Sequence, residues 1–154
     1  MREILSDAEV SLPFDPKIDK VHPALVPVKA LWDTGATNCA ITKKNAAQIG
    51  LTATGKVDVH HADGVTPQDT YLINIGLLNK VEFPLVKVTE CKSAGNFDLI
   101  IGMEIITAGD FAGTNEAGVT VVSYRFPSIQ HIDYVKEFNK IYGQKTTHAG
   151  RNEP

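Results

Sequence analysis

Short apolar stretches, separated by glycine, proline and acidic turn residues, run through most of the chain. Residues 21–32 are rich in Val, Leu and Ala, which predicts a strand, and Asp33-Thr34-Gly35 follow it directly as a turn. Residues 97–101 form a nearly continuous apolar run that ends at Gly102, as expected of a strand buried on both faces. The pattern therefore predicts a domain that is mostly β.

Turn signals between apolar strands predict two hairpins. Alternating residues flank Asp63-Gly64, a pair that readily supplies the positive φ angles of a tight turn, and others flank the segment 115–118. A further strand is predicted over 81–89, where the apolar phase shifts near Pro84. This shift indicates an irregularity in that strand.

Three segments have helical character. Residues 43–49 are helix formers closed by Gly50, and one or two helical turns are expected over 103–108. A longer helix, capped by Ser128, is predicted beyond Pro127, where apolar residues recur at helical spacing: Ile129, Ile132, Val135, Phe138 and Ile141. This helix either packs on the barrel of its own chain or forms a dimer interface, and its wide apolar face favours the first.

Length and composition bound the class of protein. The 154 residues predict a single domain over 1–143 and a flexible polar tail over 144–154. The formal net charge of -3, without basic runs interleaved with aromatic residues, argues against nucleic acid as a partner. A charged start and the lack of an apolar run of about 20 residues predict a cytoplasmic protein without a membrane partner. Cys39 and Cys91 are expected to stay reduced.

Asp33-Thr34-Gly35 carries the clearest chemistry, although the same residues are common in turns. Residues 30–37, with the sequence ALWDTGAT, resemble the catalytic loop of retropepsin-like aspartic proteases. Residues 99–103, with the sequence LIIGM, resemble the apolar strand that precedes a short helix in the same family. The family places a flap hairpin between these two motifs, and residues 60–71 are its natural candidate. The resemblance is to the cellular, including bacterial, members more than to the viral enzymes.

The resemblance implies a small closed β-barrel of the acid protease type, with a flap hairpin, short helices and a C-terminal helix. It implies an aspartic endopeptidase without cofactor or metal, in which Asp33 is catalytic and Thr34 and Gly35 support its loop. The residues expected to contact substrate are Gly35, Ala36 and Thr37 in the loop and His61, Asp63, Gly64 and Val65 in the flap. Those expected to buttress the loop are Ile100, Ile101 and Gly102.

The mechanism of such enzymes requires two neighbouring carboxylates that share one proton. Because this chain carries Asp-Thr-Gly once, the resemblance implies a homodimer in which two copies of Asp33 meet, acting on an extended peptide or protein substrate. One alternative is a catalytically silent peptide-binding or assembly module with the same fold. Another is a chain that is monomeric alone and becomes active only when an assembly brings two copies together.

Other interpretations of the reactive side chains are weaker. Adjacent His60 and His61 point to opposite faces of a strand, and with Asp63 and His131 they match no common zinc spacing. Cys39 has no basic partner placed beside it, so a small buried thiol explains it better than a nucleophile. Trp32 is expected to pack in the core or an interface.

Overall fold

The computed structural model describes residues 3–92 and 95–143 of the chain. The strands are β1 Leu5–Ser11, β2 Val26–Trp32, β3 Ala40–Thr42, β4 Gly55–His61, β5 Gly64–Leu77, β6 Glu82–Cys91, β7 Leu99–Ile101, β8 Asp110–Glu116 and β9 Val119–Arg125. The helices are α1 Lys43–Ile49, α2 Met103–Ile106 and α3 Tyr134–Tyr142. The predicted mostly β class is confirmed. The predicted polar tail, 144–154, lies outside the described residues.

Seven strands form one sheet in the order β1-β2-β7-β3-β6-β5-β4. Since β1 also pairs with β5, six of these strands close into a ring, and β4 extends from it as the outer strand of the β4–β5 hairpin. This closure agrees with the predicted barrel. Strands β8 and β9 form a separate antiparallel hairpin. No helix in the described part of the chain is long and apolar enough to cross a membrane.

Strand β7 lies at the centre of the arrangement, between β2, to which it is parallel, and β3, to which it is antiparallel. Leu99 and Ile101 are completely buried, as the apolar run predicted. Ala30 and Trp32 alternate inward on β2, so the strand that leads to Asp33 is buried along one face. The core of the barrel therefore ends directly beneath the Asp-Thr-Gly turn.

Strand β1 was not predicted, because the opening of the chain reads as polar. Its inward positions Ala8 and Val10 are small, and they alternate with Asp7 and Glu9, which are exposed. The strand predicted to begin at residue 21 begins instead at Val26. These five residues before it are outside the sheet, so the predicted boundary was too early.

The irregularity predicted near Pro84 is confirmed. The register between β5 and β6 shifts between Ile73 and Ile75, and Leu85 takes a positive φ of 53°. Asn74 occupies the shift and is buried, and its Oδ1 accepts the backbone N–H groups of Phe14 and Leu85 at 3.0 and 3.1 Å. The amide of Asn74 thus replaces the ladder bonds that the shift removes.

The first helix matches its prediction. Thr42 caps α1 by accepting the backbone N–H of Asn45, and Gly50 ends it in the left-handed region at φ 79°. The predicted hairpins are also present, with Gly64 at φ 130° closing the β4–β5 turn and Ala117-Gly118 forming the β8–β9 turn. Local turn chemistry was sufficient to locate these elements.

The C-terminal helix differs from its prediction in two ways. It begins at Tyr134 after a cap by Asp133, because Ser128 donates its hydroxyl to Asp110 instead of capping a helix. The helix was expected to pack on its own barrel, and this was wrong: none of its residues is buried by the described chain. The described residues leave its apolar face exposed.

Candidate active site

Asp33 lies where β2 leaves the core, and its backbone holds the turn in place. The Asp33 N–H donates to the carbonyl of Ile101 at 3.0 Å, which extends the pairing of β2 with β7 by one bond. The Gly35 N–H donates to Oδ1 of Asp33 at 2.8 Å, and the Ala36 N–H donates to the Asp33 carbonyl at 3.2 Å. The carboxylate is therefore oriented by its own loop while remaining partly exposed.

The chain from Gly102 onward braces this loop from behind. Met103 and Glu104 donate their backbone N–H groups to the carbonyls of Ala36 and Thr37 at 2.8 and 3.1 Å. A Cβ added at Gly102 would lie 2.5 Å from the carbonyl oxygen of Asn38, which no real Cβ contact allows. Glycine is required here because two backbone segments pass so close together.

The predicted buttress residues lie in this same layer. Ile100 pairs with Leu31 on one side and with Ala40 on the other, and Ile101 is fully buried below the turn. Together with Gly102 they connect the strands before and after the Asp33 loop. The structure thus places all three residues under the loop.

Cys39 and Glu104 add a brace that the sequence reasoning missed. The Cys39 N–H donates to Oε1 of Glu104 at 2.6 Å, and the Gly102 N–H donates to Sγ of Cys39 at 3.5 Å. Burial raises the pKa of the Cys39 thiol to about 12. Cys39 is therefore a neutral packing group with a backbone role, and it is a free thiol, as is Cys91. No local signal links Glu104 to Cys39, which lies 65 residues earlier.

An aromatic cluster packs against Trp32 at the end of β2. The ring centroids of Phe111 and Tyr124 lie 5.6 and 5.2 Å from that of Trp32, and the Trp32 indole N–H donates to Ser6 Oγ at 2.9 Å. Tyr124 donates its hydroxyl to the carbonyl of Ile105 at 2.7 Å. These contacts attach the β8–β9 hairpin to the strand that carries Asp33. Trp32 is core, in agreement with its predicted packing role.

A cleft of about 710 Å³ lies between the tip of the β4–β5 hairpin and the strands that follow the Asp33 loop. Three of the predicted flap residues line it: Asp63, Gly64 and Val65. The backbone of His61 pairs with Gly64 at the hairpin tip, and the His61 side chain lies outside what the structure describes. The flap residues therefore face a space large enough for a peptide segment.

The cleft also contains residues that the sequence reasoning did not select, among them Gln68, Thr89 and Glu90. Oε2 of Glu90 accepts the hydroxyl of Tyr71 at 2.7 Å, and burial together with this bond raises the pKa of Tyr71 to about 12. Strand alternation alone could have indicated which face these residues occupy, but only the barrel closure shows that this face lies opposite the flap tip.

The five predicted loop residues, 33–37, do not line this cleft in a single chain. Thr34 and Thr37 are exposed, and their hydroxyls have no hydrogen-bond partner within the described residues. The Gly35 carbonyl likewise accepts no bond there. Among residues 3–92 and 95–143, no three His, Cys, Asp or Glu side chains are grouped to hold a metal.

Two solved structures resemble this fold. The retroviral protease-like domain of Ddi1 from Leishmania major is 19% identical, with 77% of this chain and 92% of that chain covered and a TM-score of 0.42. A retropepsin-like aspartic protease from Rickettsia conorii is 17% identical, with coverages of 80% and 99% and a TM-score of 0.45. No curated protein sequence matches the chain.

The chain also matches a sequence family described as aspartyl protease. The family pattern matches residues 18–105, which is more than half of the chain. This range includes the Asp33 turn, the β4–β5 hairpin and Gly102. The chain belongs to the aspartyl protease family.

Proposed function

We propose that this protein is an aspartic endopeptidase that acts as a homodimer. The observation that carries the proposal is the state of Asp33, a carboxylate oriented by Gly35 at the end of a buried strand and left partly exposed by a rigidly braced loop. Oδ1 accepts the Gly35 N–H, and Oδ2 has no donor within the described residues. Such a carboxylate is positioned to contact a second carboxylate and a water molecule.

Chemistry requires the second carboxylate to come from another copy, since the chain has a single Asp-Thr-Gly. Two carboxylates within hydrogen-bonding distance hold one proton between them, because two negative charges that close repel. The ionised one removes a proton from water, whose oxygen attacks the peptide carbonyl, while the protonated one donates to the carbonyl oxygen. The tetrahedral intermediate then loses the amine, which takes a proton from the dyad.

The loop leaves specific groups free for the substrate and for the partner copy. The backbone groups of Ala36 are occupied, since its N–H donates to Asp33 and its carbonyl accepts from Met103. The Gly35 carbonyl and the Thr34 and Thr37 hydroxyls are unoccupied within the described residues. We expect Gly35 and Thr37 to contact the peptide backbone and Thr34 to bond across the dimer axis. An extended peptide would lie beneath the flap as an added strand.

The test is cleavage of a peptide library between about pH 4 and 7, where a shared-proton dyad holds one charge. Native protein is compared with Asp33→Asn and with Asp58→Asn, an exposed position on β4 whose side chain has no partner within the described residues. We expect Asp33→Asn to reduce the rate at least about 100-fold, because it removes the general acid and base. We expect Asp58→Asn to cleave like the native protein.

The rate should fall on both sides of an optimum, since the dyad is inactive when it carries two protons or none. Equal cleavage by the native protein and Asp33→Asn would contradict the proposed mechanism. Saturable peptide binding without any cleavage by the native protein would instead favour a silent peptide-binding module.

A further inference from the structure

The apolar face of α3 is the largest feature that the active site leaves unexplained. It consists of side chains that are half or more exposed: Tyr134 at 53%, Val135 at 71%, Phe138 at 61%, Ile141 at 70% and Tyr142 at 50%. The rings of Phe138 and Tyr142 contact each other, with centroids 4.8 Å apart. We call these five residues the α3 face.

A helix as short as α3 is not stable in water without packing contacts. Isolated helices shorter than about 12–15 residues are marginal in water, and α3 has nine residues, none of them buried by the described chain. A soluble monomer rarely exposes a contiguous apolar patch of this kind without an interaction to explain it. The described chain leaves the α3 face uncovered, and this favours a covering surface from another molecule.

The size of the face approaches that of one side of a protein interface. Aromatic side chains present about 150–250 Å² each, and three of the five residues are aromatic, so the α3 face at these exposures offers on the order of 600 Å² at most. A standard interface takes about 800 Å² from each partner. Ile129 and Ile132 just before the helix, 72% and 38% exposed, supply further apolar area.

The charges around the α3 face favour a second copy of this chain as the molecule that covers it. Asp133 and Glu137 balance Lys136 and Lys140, so this segment has no net charge although the whole chain carries -3. In an isologous contact the same patch faces itself, and acidic residues of one copy can face lysines of the other. Amphipathic helices that bind membranes usually carry an excess of Lys or Arg instead.

The connection of α3 to the active site also points to a second copy. Asp110, at the start of β8, accepts the backbone N–H of Ile129 at 2.9 Å and the hydroxyl of Ser128, which fixes the segment leading to α3. The hairpin that contains Asp110 packs on Trp32, the neighbour of Asp33. A partner that binds α3 is thus connected, through the β8–β9 hairpin, to the strand that leads to Asp33.

We infer that the α3 face is a self-association surface, through which two copies of this chain bind each other and bring their Asp33 loops together. This inference rests on the proposed function for its catalytic consequence. It makes peptide cleavage depend on enzyme concentration through the exposed face of one helix.

Ile141→Glu tests the inference, with Ile18→Glu as its matched control. Both positions are isoleucines with similar exposure, 70% and 77%, so neither substitution removes a buried contact within the described chain. We expect analytical ultracentrifugation to show a dimer dissociation constant raised about tenfold or more by Ile141→Glu and unchanged by Ile18→Glu. Cleavage by Ile141→Glu should be reduced in dilute enzyme and recover as the enzyme concentration rises.

Circular dichroism of all three proteins checks that the barrel remains folded. Equal dissociation constants for the native protein and Ile141→Glu would overturn the inference. It would also be overturned by a native protein that stays monomeric but floats with phosphatidylglycerol vesicles in a manner that Ile141→Glu abolishes. A native dimer weakened by Ile141→Glu but without cleavage at any pH would support the surface and refute the proposed protease activity.

Discussion

The loop that carries Asp33 and the helix α3 both contain or adjoin large apolar side chains, but these side chains are buried beneath the loop and exposed on α3. Ile101 beneath the loop is completely buried, whereas Ile141 on α3 is 70% exposed. The loop is braced from the β7–α2 segment and from the β8–β9 hairpin. Within the described residues, the bonds to Asp110 fix the segment that leads to α3, and none of the residues of α3 is buried. Under the proposed function, one chain completes the braced loop and leaves the apolar face of α3 for a partner copy.

The largest effect expected from this contrast comes from replacing each isoleucine with alanine. Ile101→Ala opens a cavity in the barrel and should lower the free energy of unfolding by about 2–5 kcal/mol. Ile141→Ala removes atoms that face solvent in the single chain and should change it by less than about 0.5 kcal/mol in dilute protein. Urea unfolding at low protein concentration measures both. A comparable loss in Ile141→Ala would show that α3 packs on its own barrel after all.

The close approach of two backbone segments behind the Asp33 loop predicts the next largest effect on stability. Gly102→Ala places a methyl group against the backbone of Asn38 and should lower the free energy of unfolding by about 1–3 kcal/mol, together with a loss of cleavage. Gly113→Ala is the matched control, because an added Cβ there meets nothing within 4 Å. Thermal unfolding of both variants compares them. A Gly102→Ala protein as stable and active as Gly113→Ala would refute the bracing role of Gly102.

The smallest expected change in stability comes from Asp110, which binds the segment before α3. The backbone N–H of Ile129, the Ser128 hydroxyl and the Arg125 guanidinium hold the pKa of the Asp110 carboxyl well below its ordinary value of 3.8. A lowered pKa means that the carboxylate stabilises the fold above 3.8 and loses this contribution as the pH falls below it. Asp110→Asn should therefore be less stable than the native protein near neutral pH, with a difference that narrows in acid.

Urea unfolding at about pH 7 and at about pH 2 measures that difference, with Asp58→Asn as the control for removing an exposed carboxylate. A difference between Asp110→Asn and the native protein that stays constant across this range would show that the bonds to Asp110 do not depend on its charge.

Prediction from the sequence succeeded where the signal was local. The helix at 43–49 is bounded by its own cap and by Gly50, and the irregularity in β6 is marked by Pro84. The Asp33 loop was located by its motif, although its catalytic role stays a prediction. Strand β1 was missed because its inward residues Ala8 and Val10 are small and lie among charges.

The remaining differences arise from contacts between distant parts of the chain. Ser128 does not cap a helix because its hydroxyl binds Asp110, 18 residues earlier, and no local pattern reveals this. The brace between Cys39 and Glu104 likewise spans 65 residues. Helical spacing correctly predicted an apolar face on the C-terminal helix, but spacing alone does not say which molecule covers that face.

The central claim is that each active site takes one Asp33 from each of two chains, and mixing native protein with Asp33→Asn tests it most directly. At fixed total concentration, equal parts of the two should retain about one quarter of the native activity, because only native pairs have both carboxylates. Ultracentrifugation verifies that the variant associates like the native protein. Retention of about one half would mean that each chain completes its own site, and would contradict the account.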